Sequence, residues 1–126
     1  MNILITGSNG VVSRELFKHF KKIKNIKIYF SSRKKKNINK KIFYLDLKKK
    51  INLNRSFDGI IHCASNHPYT ILKKEKNKLK KENILMSKNL SDYCNKKKIK
   101  KVIFISAINT YGSIKKNIIN ENYIPN

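Results

Sequence analysis

Gly7 and Gly10 are the residues whose type and spacing most directly suggest chemistry. They sit in the run Thr6-Gly7-Ser8-Asn9-Gly10-Val11-Val12-Ser13. The apolar Ile3-Leu4-Ile5 precedes this run, and helix-forming residues follow it. A strand, a tight turn and a helix start in that order aim backbone N–H groups and the positive helix end at one point, where a pyrophosphate can sit. Gly7 would make the sharp turn. Gly10 would let the backbone come close to the phosphates with no Cβ in the way. A third glycine is expected at the position of Ser13; that place serves helix–strand packing, so a small serine weakens the pattern without cancelling it. Alone, the run fits a dinucleotide site and an ordinary strand-to-helix turn about equally.

Other candidate groups carry less. His62-Cys63 resembles a metal pair, but neighbouring strand residues point to opposite faces and cannot easily chelate one ion, so no metal site is expected. A tyrosine and a lysine one helical turn apart can form a general base, because the ammonium lowers the phenol pKa. That spacing occurs four times (Tyr44/Lys48, Tyr69/Lys73, Tyr93/Lys97 and Tyr111/Lys115). In so lysine-rich a chain it carries almost no information. Cys63 and Cys94 lie far apart and read as reduced thiols, which points to a cytoplasmic location.

The 126 residues suffice for one domain with one core. The 30 basic against 7 acidic residues, a formal charge of +23, suggest nucleic acid or an anionic surface at first sight. Arginine, the usual reader of bases and phosphates, occurs only as Arg14, Arg33 and Arg55. The lysines cluster where solvent is expected, and the aromatic residues lie in apolar runs rather than on a stacking platform. A basic nucleic-acid-binding protein is therefore an alternative, and no nucleic-acid partner is expected. No apolar run is long enough to span a bilayer, so no membrane partner is expected.

Five apolar runs predict the strands that would position the glycine loop. They are Asn2 to Thr6, Ile26 to Phe30, Lys41 to Leu45, Ile60 to Ala64 and Lys101 to Ser106. Val12, Leu16, Phe20 and Ile23 share helical spacing after the first strand. Leu79, Asn83, Met86, Leu90 and Tyr93 do so within a helix expected from about Lys78 to Asn95. Ile51 to Phe57 is ambiguous. Alternation of strands and helices predicts an α/β fold with a parallel sheet, and right-handed crossovers predict the strand order 3-2-1-4-5. The crevice would lie at the carboxyl ends of strands 1 and 4.

With the strand ends placed, the chain resembles the extended short-chain dehydrogenase/reductase family, in its NAD-dependent epimerase/dehydratase branch. Thr6 to Val12 resembles the family's glycine-rich loop. Asp46-Leu47 resembles the acid-plus-aliphatic pair after strand 3, which implies adenine contact. Ile61-His62-Cys63-Ala64-Ser65 resembles the strand-4 motif, whose loop runs along the cofactor's phosphates and nicotinamide ribose. Asn83 matches the helix asparagine near that loop. Phe104-Ile105-Ser106-Ala107 through Tyr111-Gly112 resembles the strand-5 block that carries a catalytic serine or threonine.

The resemblance implies a doubly wound Rossmann-like domain over residues 1–126, with the substrate-binding part absent. It implies cofactor contacts from Gly7, Ser8, Asn9, Gly10, Val11, Val12, Arg33, Asp46, Leu47, Cys63, Ala64, Ser65 and Asn83. NAD-preferring members carry an acid at the end of strand 2. Ser31-Ser32-Arg33 stands there instead, and a guanidinium pairs with a 2′-phosphate, so NADP(H) is favoured over NAD(H). The implied activity is that of an NAD(P)-dependent epimerase, dehydratase or reductase acting on a nucleotide sugar.

Departures from the family pattern shape the remaining expectations. The catalytic hydroxyl should lie four residues before Tyr111, where Ala107 stands; Ser106, one residue off, is the remaining candidate. The Tyr-x-x-x-Lys pair of the family is not assigned, and it is expected beyond Asn126. The 126-residue chain is expected to bind cofactor weakly, to self-associate through an exposed strand-5 edge, and not to turn over sugar nucleotides. A non-catalytic dinucleotide-binding module, acting as a sensor or partner, is the second reading.

Overall fold

The computed structural model describes residues 1–34, 41–66, 73–107, 120 and 122. Its elements run β1 (Asn2–Thr6), α1 (Val11–Phe20), β2 (Lys27–Ser32), β3 (Ile42–Tyr44), β4 (Gly59–His62), α2 (Lys73–Lys96) and β5 (Val102–Phe104). All four strand pairings are parallel, and the sheet order is β3-β2-β1-β4-β5. This is the expected α/β, Rossmann-like arrangement. β1 lies at its centre, with Leu4 opposite Tyr29 on one side and Ile60 on the other.

Side-chain alternation divides the core into two layers. Leu4 and Ile60 face α2, joining Met86, Leu90, Tyr93 and Cys94 in the larger cluster. Ile3, Ile5, Ile28 and Ile61 face α1, where Leu16 and Phe20 pack on them. Such two-sided burial is why the central strands read as continuous apolar runs.

Several element ends differ from the sequence expectation. β4 stops at His62 rather than Ala64, because the Ala64 N–H is taken by the side chain of Thr6 (3.2 Å) rather than by a strand neighbour. β2 runs on to Ser32, whose carbonyl accepts the Leu45 N–H at 3.0 Å. α2 begins at Lys73, ahead of its apolar stripe. Its first turn carries Glu75, exposed, a charge that suits the helix N-terminus. Along α1, Val12 (46% exposed) and Ile23 (40% exposed) lie outside the buried face. That face is centred on the fully buried Ser13 with Leu16 and Phe20, and the helix ends before Ile23. Ile51 to Phe57 forms neither helix nor strand, yet Ile51 and Phe57 plug the larger core.

Candidate functional site

The β1–α1 turn needs glycine at Gly7 on two counts. Its φ is +78°, in the left-handed region, and a Cβ there would lie 2.9 Å from Ala64 Cα. The turn is thus pressed directly onto the segment after β4. Gly10 differs. A Cβ on it would meet only Gly7 O at 3.4 Å and Ser13 Oγ at 3.7 Å, so its remaining surroundings are open.

Gly10 is the N-cap of α1, with φ −73° and ψ 153°. No side chain caps it, and the first turn of the helix carries no acid. The first N–H groups of a helix have no intrahelical partner, so an uncapped end of this kind is able to receive an anion. Ser13, at the place of the third glycine, is small enough to be fully buried. Its hydroxyl donates to Gly7 O at 2.7 Å and so ties the turn to the helix.

Thr6 closes the other side. Its Oγ1 accepts the Ala64 N–H and lies 2.7 Å from His62 Nδ1. Burial pushes the His62 pKa below its ordinary value of 6.5. Burial thus favours the neutral ring, and the Thr6 hydroxyl and His62 Nδ1 share one hydrogen bond. His62 and Cys63 point to opposite faces: the His62 ring packs edge-on against Phe104 at 5.2 Å, and Cys63 joins the α1-side cluster. Burial also pushes the Cys63 thiol up, with a Ser13 hydrogen bond opposing it. Among the described residues, no three His, Cys, Asp or Glu side chains gather to hold a metal.

This His62 environment sets an expected pH response. The unfolded imidazole binds a proton near pH 6.5, while the folded one resists it. Stability is therefore complete above about pH 6.5 and falls as pH drops below it towards the folded value. Thermal melts of the parent should lose Tm between pH 7.5 and 5.5, and His62→Asn should flatten that slope. An equal slope in both proteins would show that His62 does not carry it.

A cleft of about 230 Å³ lies over the carboxyl ends of the strands. The turn residues Gly7, Ser8, Asn9 and Gly10 form one wall. Ser31, Ser32, Arg33 and Lys34 come from the end of β2, and Leu45 and Leu47 from the end of β3. Cys63, Ala64, Ser65 and Asn66 follow β4, and Met86 reaches in from α2. Nine of the thirteen residues expected at the cofactor thus border one cleft: Gly7, Ser8, Asn9, Gly10, Arg33, Leu47, Cys63, Ala64 and Ser65.

The other four stand back from it. Val11 and Val12 are exposed on the first turn of α1. Asp46 Oδ1 accepts the Lys48 N–H at 3.1 Å, so its carboxylate shapes the turn after β3. Asn83 clamps the backbone of Asn66 from α2: its Oδ1 accepts the Asn66 N–H at 2.8 Å, and its Nδ2 donates to Asn66 O at 3.2 Å.

Ser106 and Ala107 follow β5, exposed and away from the cleft wall. Tyr69, Tyr111, Gly112 and Lys115 lie outside the described residues. Tyr93 is no free base. Its hydroxyl donates to the Arg55 carbonyl, and burial, with a smaller push from Cys94 and against the pull of Arg55, raises its pKa to about 12.

Sequence reasoning missed Lys34, Leu45, Asn66 and Met86 as cleft residues, and named Ser31 and Ser32 only as standing where an acid would be. Leu45 and Met86 read as core and are core, but each also shows an edge to the cleft. Ser31 and Ser32 were legible as a strand end. Nothing in the sequence marks Asn66.

Residues 3–125 match the profile of the NAD dependent epimerase/dehydratase family. Comparison with curated proteins gives no match. Among solved structures, a UDP-glucose 4-epimerase superposes with a TM-score of 0.83 at 18% identity, over 100% of this chain and 41% of that one. The Thermus thermophilus UDP-glucose 4-epimerase, in complex with NAD, gives 0.80 at 22%, over 100% and 44%. The Bifidobacterium longum enzyme, in complex with NAD+ and UDP, gives 0.80 at 18%, over 100% and 43%. At these identities the likeness establishes the fold, and the chain spans less than half the length of each of these structures.

Proposed function

This chain belongs to the NAD dependent epimerase/dehydratase family, and we propose that it is the dinucleotide-binding part of an NAD(P)-dependent epimerase, dehydratase or reductase that acts on a nucleotide sugar. The observation that carries this reading is the cleft itself. The uncapped start of α1, the open side of Gly10, and the ends of β2, β3 and β4 all converge on it. These residues fit a dinucleotide. Gly7 to Gly10 and the α1 N-terminus would hold the pyrophosphate. Leu45, Leu47 and Met86 offer apolar surface for a base, with Asp46 beside them. Cys63 to Ser65 would line the ribose and phosphates towards the nicotinamide, and Asn83 would hold that segment in place. Val11 and Val12 would contribute backbone at the helix start. A bound nicotinamide supplies reversible hydride transfer to or from a sugar carbon. Ser106 is the hydroxyl proposed to orient the sugar.

The Thermus thermophilus and Bifidobacterium longum enzymes hold NAD. In this chain Arg33 and Lys34 border the cleft just past β2, and no acid stands between Lys27 and Lys34. NADP(H) is accordingly the preferred cofactor of this proposal, because a guanidinium and an ammonium there favour a 2′-phosphate. Calorimetric titration tests it. The parent should bind NADPH more tightly than NADH, and Arg33→Ala should weaken NADPH about tenfold, about 1.4 kcal/mol. Tighter NADH binding by the parent would overturn the preference.

Ala107, at the place of the expected hydroxyl, favours a second reading, in which the domain binds dinucleotide without turning over sugar. Cofactor-dependent conversion of a UDP-sugar separates the two readings. The proposal also includes a cytoplasmic location and self-association through the apolar Ile103, Phe104 and Ile105, which are exposed along and just past the outermost strand. Among the described residues, no helix is long and apolar enough to cross a membrane.

A further inference from the structure

A connected set of polar side chains lies on the rim of the cleft, apart from the β1–α1 turn. Arg33 Nη2 donates to Asn66 Oδ1 at 3.4 Å, joining the end of β2 to the segment after β4. The amide of Asn66 has only one workable orientation. Its Nδ2 donates to Glu82 Oε2 at 2.6 Å. An ionised carboxylate only accepts, so the nitrogen must face Glu82 and the oxygen must face Arg33. The Asn66 backbone is held independently by Asn83. The second oxygen of Glu82 accepts from Lys48 Nζ at 3.4 Å, which fixes the carboxylate in turn. Order therefore passes from Lys48 and Glu82, through Asn66, to the exposed end of Arg33.

An untethered Arg33 would have another place to go. Arg33, Asn66 and Glu82 border a second hollow on the far side of the rim, together with Glu75. Lys78 lines that hollow too, and Glu82 already pairs with Lys48, so Glu75 is the carboxylate there that a loose guanidinium could reach in place of the cleft. A long exposed side chain also loses rotamer freedom when it binds a ligand, and a side chain already held in place loses less.

We propose that Asn66, oriented by Glu82, is a positioning residue that holds Arg33 at the cleft rim and thereby sets preference for a 2′-phosphorylated dinucleotide. This rests on the reading that Arg33 meets the 2′-phosphate. Asn66 lines the cleft, and in this proposal it acts through Arg33.

NADPH and NADH differ only in the 2′-phosphate, so a pair of titrations isolates the effect. Binding of each to the full chain is measured calorimetrically for the parent, Arg33→Ala, Asn66→Ala and Glu82→Ala. The expected result is a five- to tenfold loss of NADPH affinity in Asn66→Ala and Glu82→Ala, with NADH affinity changed less than twofold. Glu82→Ala keeps Asn66 and its Asn83 clamp, so it guards against a folding defect at position 66. Equal losses for both dinucleotides would mark a structural role and overturn the proposal, as would unchanged or tighter NADPH binding. If Arg33→Ala abolishes the preference while Asn66→Ala and Glu82→Ala keep it, only the positioning role fails. If the parent shows no preference, or Arg33→Ala changes nothing, the cofactor reading fails and the positioning role falls with it.

Discussion

Gly7→Val is expected to destabilise the domain by about 3 kcal/mol or more, and to remove dinucleotide binding along with it. Two independent costs combine at this position. A β-branched residue at φ +78° sits in a region it rarely adopts, at a cost on the order of 1–3 kcal/mol. Its Cβ would also fall 2.9 Å from Ala64 Cα, and the atom it meets is backbone, which cannot turn aside. Overpacking of that kind costs about 1–3 kcal/mol again. Relief would require the β1–α1 turn and the segment after β4 to part, which would open the cleft between them. For a domain of this size the Tm should fall by roughly 10 °C. A Gly7→Val protein that melts within about 2 °C of the parent would show that the turn does not need this approach.

Gly10→Val is expected to leave stability nearly unchanged while it weakens dinucleotide binding. The backbone here is extended, with φ −73° and ψ 153°, and any residue adopts it. A Cβ finds no neighbour closer than 3.4 Å, so the fold should accept it, with Tm within a few degrees of the parent and an unchanged circular dichroism spectrum. The branched side chain would instead stand where a pyrophosphate must approach the uncapped start of α1. Dinucleotide affinity should fall about 100-fold or more, about 2.7 kcal/mol. Parent-like binding of NADPH by Gly10→Val would place the phosphates elsewhere. The contrast is the diagnostic: a turn that is merely structural would leave Gly10→Val with both its melt and its NADPH affinity unchanged.

Much of this domain is legible from its residues in order, and for local reasons. Apolar runs of strand length mark β1, β2 and β4, because strands buried on both faces cannot alternate with polar residues, and a similar run marks the edge strand β5, where Ile103 and Phe104 are exposed. The glycine loop is legible because glycine is the residue favoured where φ is positive and backbones meet, as at Gly7. Strand order followed from the right-handed crossover rule, and the sheet has that order. Element ends were less legible. Whether Ala64 continues β4 depends on the side chain of Thr6, which lies 58 positions earlier in the chain. The buried face of α1 was misjudged at Val12 and Ile23 because periodicity names a stripe but does not say how far the neighbouring sheet extends to cover it.

The rim of the cleft, by contrast, takes its form from packing alone. Asn66 carries no motif, and its two side-chain partners, Arg33 and Glu82, are 33 and 16 positions away. Their meeting is set by β2 and β4 flanking β1, with α2 laid across the sheet on one side. Neither a period of two nor one of 3.6 encodes such a contact. The same holds for Leu45 and Met86, which hydrophobic patterning assigns to the core. Patterning reports which side chains leave water; the packing of separate elements decides which of them also face a cleft.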